Sequence, residues 1–263
     1  MENNSTWTPS QPSPANWAPD SFRAGPAALY AIGAIFLAIA PGVVYVLVLA
    51  ATGRIEVFPA ASGKAPTIPG VDLLYAQLLT YAVLLPYLLY FLPRVAQRSL
   101  AELGLRAPGL REIGIGLAGV VAMFVAVNGA SAIVASLTHF HDTEAAVELL
   151  GQMKTPAEKV LFVLVAAVLA PIIEELAFRA FLFNAFSRYA SLGVAAVVSG
   201  VLFGLVHAAS AQQLLTVALP LALGGVVLAG VYSISRCYWS NVISHALFNS
   251  ISLVAVFVFH VKP

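Results

Sequence analysis

After Glu158 only two acidic residues remain in the chain, and they are adjacent, in Pro171-Ile-Ile-Glu174-Glu175-Leu-Ala-Phe-Arg179. An ionisable side chain inside an apolar helix is costly, so such groups turn to the protein interior, pair with one another and mark functional paths. Glu175 and Arg179 stand one helical turn apart, the spacing of an ion pair, whereas Glu174 is rotated by about 100° and is free to point elsewhere. Two further polar groups follow. His207 closes Phe203-Gly-Leu-Val-His207, with Phe203 one turn earlier on the same face, and His245-Ala-Leu-Phe-Asn249 places an imidazole and an amide at i and i+4.

A carboxylate beside a neutral imidazole in a low-dielectric pocket can take a proton from water, and a second histidine with an amide can donate to a developing oxyanion. These are the parts for adding water to a carbonyl. The base falls to Glu174 and the ion pair to Glu175 with Arg179. Each group also has a plainer reading: the glutamates brace the helices, His207 bonds a backbone carbonyl, and Asn249 serves as interhelical glue. His139, His141 and His260 fall at or beyond the ends of apolar segments, where solvated loop positions are the default.

The elements that must carry these groups are membrane helices. Of 263 residues, 60% are apolar and 10% charged, against about a quarter charged in soluble domains. Seven apolar stretches of membrane-spanning length stand out: Ala27 to Thr52, Val71 to Leu92, Glu112 to Leu137, Ala157 to Tyr189, Leu192 to Ala208, Gln213 to Ile234 and Trp239 to His260. The long fourth stretch can be a broken helix or two shorter ones. The expected architecture is all-α, a polytopic transmembrane bundle of about seven to eight helices. It forms one domain over residues 27–263, with the chemical core at about 157–255 and a flexible polar tail over 1–26. No basic segment, short apolar run and small-residue cleavage site precede the first span, so no removable signal peptide is expected.

If the chain turns back between Tyr189 and Leu192, Glu174 and His207 each lie about sixteen residues from the turn, at a matched depth of roughly 24 Å. His245 lies about nine residues beyond Arg236, roughly 13 Å deep, a looser match. The stretch Pro93 to Arg111 carries Arg94, Arg98, Arg106 and Arg111 against Glu102. The positive-inside rule makes that segment and the N-terminus cytoplasmic in a multi-pass protein of the cell membrane. The loop with Asp142, Glu144 and Glu148 is then external. A net charge of +1 offers no surface for nucleic acid. The single cysteine, Cys237, precludes an intrachain disulfide and reads as a small packing residue.

The ordered triple Glu-Glu-x-x-x-Arg, Phe-x-x-x-His and His-x-x-x-Asn resembles that of the CAAX-protease and bacteriocin-processing membrane proteases, and is similar to the type II CAAX prenyl endopeptidases. The resemblance covers about residues 157–255; the Leu-Gly-Leu-Arg106 stretch is also common in such proteins. It implies an intramembrane endopeptidase in which Glu174 and His207 activate the attacking water and His245 and Asn249 stabilise the oxyanion. Glu175, Arg179 and Phe203 then organise the site, and the substrate is a membrane-associated protein or peptide in the lipid bilayer. The family is often called metalloproteases. In that version Glu174, His207 and His245 hold a divalent metal such as zinc with an open water position; the metal-free version uses the same residues.

Other chemistries fit less well. There is no His-Glu-x-x-His helix, and Asp20, Asp72 and Asp142 do not supply a pair of aspartates within the spans. A serine mechanism would take Ser199 as nucleophile with His245 as base. Two non-hydrolytic classes stay open: a membrane scaffold or immunity protein of the same fold, and a proton-coupled transporter, against which the lack of an evident inverted repeat argues.

Overall fold

The computed structural model describes residues 22–55, 68–140 and 145–259. Among these residues there is no strand. The helices are α1 (Ala24–Ala51), α2 (Gly70–Ala96), α3 (Leu110–Thr138), α4 (Ala145–Gly151), α5 (Pro156–Ser187), α6 (Leu192–Leu205), α7 (Leu214–Ser235) and α8 (Tyr238–Phe259). Lipid offers no hydrogen-bond partners, so each span must satisfy its backbone internally, and a helix does this within one segment. Helices α1, α2, α3, α5 and α7 are long and apolar enough to cross a membrane. Each of the seven expected apolar stretches is carried by a helix over most of its described residues, and the protein is an all-α polytopic membrane bundle.

Helix α6 has 14 residues, about 21 Å of rise against a hydrocarbon thickness of about 30 Å. It ends at Leu205, three residues before the expected boundary. The chain there tightens into three-residue turns, with His207 N–H donating to Gly204 and Ala208 N–H to Leu205. His207 therefore sits on the turn beyond the helix. The expected tail over 1–26 falls mostly outside the described residues; Phe22, just ahead of α1, is buried, and its carbonyl accepts from the Tyr189 hydroxyl at 3.3 Å. Asp142, Glu144, His141 and His260 are also outside the described residues.

Helix α5 opens on a capping box. Thr155 Oγ1 accepts the Glu158 N–H at 3.2 Å, Glu158 Oε2 accepts the Thr155 N–H at 3.2 Å, and Pro156 follows at the first helical position, satisfying donors that a helix start leaves open. The fourth stretch is neither two helices nor a clean single one. It runs for 32 residues with wide π-helical turns over Val165–Leu169 and Leu176–Phe183, and ordinary α-helix over Ala170–Glu175 between them. Pro171 accounts for the first. Its ring would clash with the carbonyl of Ala167 and it has no N–H to return there, so an inserted wide turn relieves the ladder. Side chains from other helices take carbonyls in these turns: Asn249 Nδ2 donates to Ala166 at 2.9 Å and Ser199 Oγ to Phe178 at 3.0 Å.

Small residues set the approach of α6 to α7. A Cβ added at Gly200 would lie 2.7 Å from the Ala222 carbonyl oxygen, and one at Gly204 would collide with the Ala218 carbonyl. Hydroxyls stitch α8 to α3, with Ser240 Oγ donating to Glu112 at 2.8 Å and Ser244 Oγ to Gly116 at 2.7 Å. The turn between α2 and α3 docks on this assembly. Tyr232 donates its hydroxyl to Leu103, Tyr238 N–H donates to Gly104, and the buried Cys237 faces the Arg106 carbonyl at 3.7 Å. Helices α1 and α2 form a side layer joined by Tyr30 stacked on Tyr87 at 5.4 Å, and Tyr30 meets α5 edge-on at Phe181, 4.3 Å away.

Candidate active site

The site lies where α5, α6, α7 and α8 meet. Its anchor is Glu175, on the last turn of ordinary α-helix before the second wide stretch and fully buried with Arg179. Glu175 Oε1 accepts from Arg179 Nη1 at 3.0 Å and from His245 Nδ1 at 2.9 Å, and Oε2 accepts from Asn241 Nδ2 at 3.0 Å. Arg179 Nη2 donates to the Gly225 carbonyl of α7 at 3.0 Å, and its guanidinium carbon stands 4.8 Å from the centre of the Phe203 ring. A buried charge pair is tolerable only when its hydrogen-bonding capacity is largely used. Here the carboxylate accepts three hydrogen bonds, one from its own helix α5 and two from α8, while Arg179 Nε keeps no partner.

Glu174 differs in every respect. Its side chain is 21% exposed, it makes no hydrogen bond among the described residues, and its Oε2 lies 3.7 Å from His245 Nε2. One imidazole thus lies between the two glutamates. Since a carboxylate only accepts, the proton on Nδ1 of His245 is directed at Glu175 and Nε2 is turned to Glu174.

His207 is oriented in the same way by its own chain. Nδ1 lies 2.7 Å from the Phe203 carbonyl, which can only accept, so Nδ1 carries the proton and Nε2 of the neutral ring is left with its lone pair. Phe203 separates the groups as a wedge, its ring centroid 4.8 Å from His207, 5.5 Å from His245 and 5.2 Å from Phe178. Phe178 and Phe203 touch across antiparallel helices, and one turn further in the same direction come Glu174 and His207. Among the described residues no hydrogen bond or ion pair joins Glu174 to His207. His245, the looser match by chain length, is the histidine in contact with both glutamates.

The remaining groups are placed as follows. Asn249 spends one amide hydrogen on Ala166, beside the first wide turn. Ser199 is fully buried and donates to a backbone carbonyl, which leaves it without the histidine contact a serine nucleophile needs. Among the described residues no three His, Cys, Asp or Glu side chains gather as a metal-holding group. The set Glu174, His207 and His245 does not converge as three ligands here: within it only His245 approaches Glu174, Nε2 lying 3.7 Å from Oε2. Asn241 escaped the sequence reading. Its signal was the spacing, since Asn241, His245 and Asn249 recur at i, i+4 and i+8 on one face of α8.

Fold and site together define a class: a helical membrane protein with a glutamate and histidine centre buried among four helices. Comparison with known proteins narrows it. Residues 156–251 match the family model described as type II CAAX prenyl endopeptidase Rce1-like, so the resemblance carried by the three motifs holds over the segment containing all of them. The chain is also similar to the "Putative membrane peptidase YdiL" of Bacillus subtilis (strain 168), 29% identical over 94 residues, 36% of this chain. The match spans 36% of that relative's own length. No solved structure matches.

Proposed function

We propose that the protein is an intramembrane endopeptidase that hydrolyses a peptide bond with water activated at Glu174. The observation that carries this reading is the division between the two glutamates. Glu175 has both oxygens committed to Arg179, His245 and Asn241, while Glu174 is partly exposed and, among the described residues, makes no hydrogen bond, its one close charged neighbour being His245 at 3.7 Å. A carboxylate kept uncommitted at such cost is available to a proton.

In this mechanism a water lies between Glu174 and Nε2 of His207. Glu174 takes its proton as the oxygen attacks the scissile carbonyl, and His207 orients the water through its lone pair. Charge develops on the carbonyl oxygen, which N–H donors stabilise: the His245 ring, held by Glu175, and the second amide hydrogen of Asn249. Glu174 then returns the proton to the leaving nitrogen. Glu175 and Arg179 take no part in bond making and hold His245 in place. No step passes through a metal.

The substrate class is a membrane-associated protein or peptide whose cleavage site reaches the bundle interior. The family description names a prenyl endopeptidase, which makes lipidated C-terminal peptides the first to assay. The test is cleavage of such peptides by purified wild type, Glu174→Ala and His207→Ala. Loss of turnover by about 10²-fold or more in folded variants is expected, and equal processing by all three would remove the assignment.

A further inference from the structure

Resting on the endopeptidase reading, we propose that Asn241 is a positioning residue of the same centre, one that keeps the Glu175 carboxylate from turning wholly to Arg179 and so holds His245 against Glu174. Asn241 is fully buried. Its Nδ2 gives one hydrogen to Glu175 Oε2 at 3.0 Å and the other to the Leu228 carbonyl at 2.8 Å, joining α8, α5 and α7. Its Oδ1 has no hydrogen-bond partner. A buried amide that leaves its acceptor unpaired is a poor choice for packing alone, since an apolar side chain of similar volume would fill the space without that cost.

The benefit lies in the geometry of Glu175. An arginine and a carboxylate prefer two parallel hydrogen bonds, one to each oxygen. Here the pair is held to one, from Nη1 to Oε1, with Oε2 occupied by Asn241 and Nη2 by the Gly225 carbonyl. Oε1 therefore stays aligned with Nδ1–H of His245, which fixes the ring and directs Nε2 at Glu174. Without the Asn241 donor the carboxylate rotates into the two-bond arrangement and releases Nδ1. The ring is then free to turn or to change tautomer. Asn241 and His245 are one turn apart on one face of α8, so the helix that carries the imidazole also carries its alignment.

The experiment uses the full chain in lipid nanodiscs with ring-15N histidine, the His245 signals being assigned with His245→Gln. In Asn241→Leu the His245 ring loses the wild-type Nδ1-protonated pattern, kcat on a cleaved peptide falls about tenfold or more, and KM stays within about twofold. Asn241→Gln, which keeps an amide, recovers part of both. If Asn241→Leu does not fold, Asn241→Ser carries the same comparison. A folded variant whose His245 spectrum equals wild type overturns the proposal, whatever its turnover. If wild type itself cleaves no peptide, the endopeptidase reading fails, and the spectra still decide the role of Asn241.

Discussion

Glu175 and His245, 70 residues apart in the chain, meet at 2.9 Å between Oε1 and Nδ1 in the fully buried centre of the bundle. That contact turns the second face of the imidazole to Glu174 and separates the roles of two adjacent glutamates. One is consumed by structure and the other is left available.

Glu174→Gln removes the charge without changing the side chain's shape. Because Glu174 makes no hydrogen bond and is partly exposed, the variant keeps the thermal stability of wild type while peptide cleavage falls by about 10² to 10⁴. Turnover and melting temperature measured on one preparation check this. A large fall in melting temperature would assign Glu174 to bracing instead.

The Glu175 and Arg179 pair answers differently. Glu175→Gln or Arg179→Met alone leaves one buried charge unpaired and destabilises the fold by about 3–5 kcal/mol. The double variant is less destabilised than the sum of the two singles. A thermal or denaturant double-mutant cycle measures the coupling, and additive losses would mean that the pair does not act as a unit.

Phe203 is the spacer between both histidines and the Arg179 guanidinium. Phe203→Ala costs about 3–5 kcal/mol as a buried large-to-small change and also lowers kcat, since both rings lose a wall. Phe203→Leu keeps most of the volume and recovers most of the stability. Activity fully retained in Phe203→Ala would show that the wedge does not position the site.

Outside the spans, Glu102 closes the turn that leads to the docked Leu103 and Gly104 carbonyls. The Ser99 backbone N–H, with its hydroxyl and Arg98, holds the Glu102 carboxyl below the usual carboxylate range. A carboxyl lowered in the folded state contributes stability above the unfolded value, about pH 4.3, and loses it as pH falls through the lowered folded value. Protection of the amides in the Ser99 to Gly104 turn, corrected for the intrinsic pH dependence of exchange, therefore falls on acidification below about pH 4, and Glu102→Gln abolishes that pH dependence. An unchanged profile in the variant would contradict this.

The histidine orientations bear on metal dependence. Because Glu174, His207 and His245 do not gather as three ligands, turnover is expected to survive chelators that strip zinc. Metal analysis of the active protein, before and after chelation, is the check. A stoichiometric metal lost together with activity would show that the three groups rearrange around it.

Much of this protein is written along the chain. Membrane spans need long apolar runs, so helix positions were legible to within a few residues. The cost of burying charge made Glu174, Glu175, Arg179, His207 and His245 conspicuous, and one helical turn between Glu175 and Arg179 sufficed to predict their ion pair. Contacts between distant segments were not written there. Hydropathy cannot show that Pro171 forces a wide turn beside the glutamates, or that α6 stops short and leaves His207 on a turn. Nor does it show that His245 approaches both glutamates while Asn241 closes the far side of Glu175. Helix tilt and side-chain packing decide these, because lipid selects where a helix lies and says little about which face meets which neighbour.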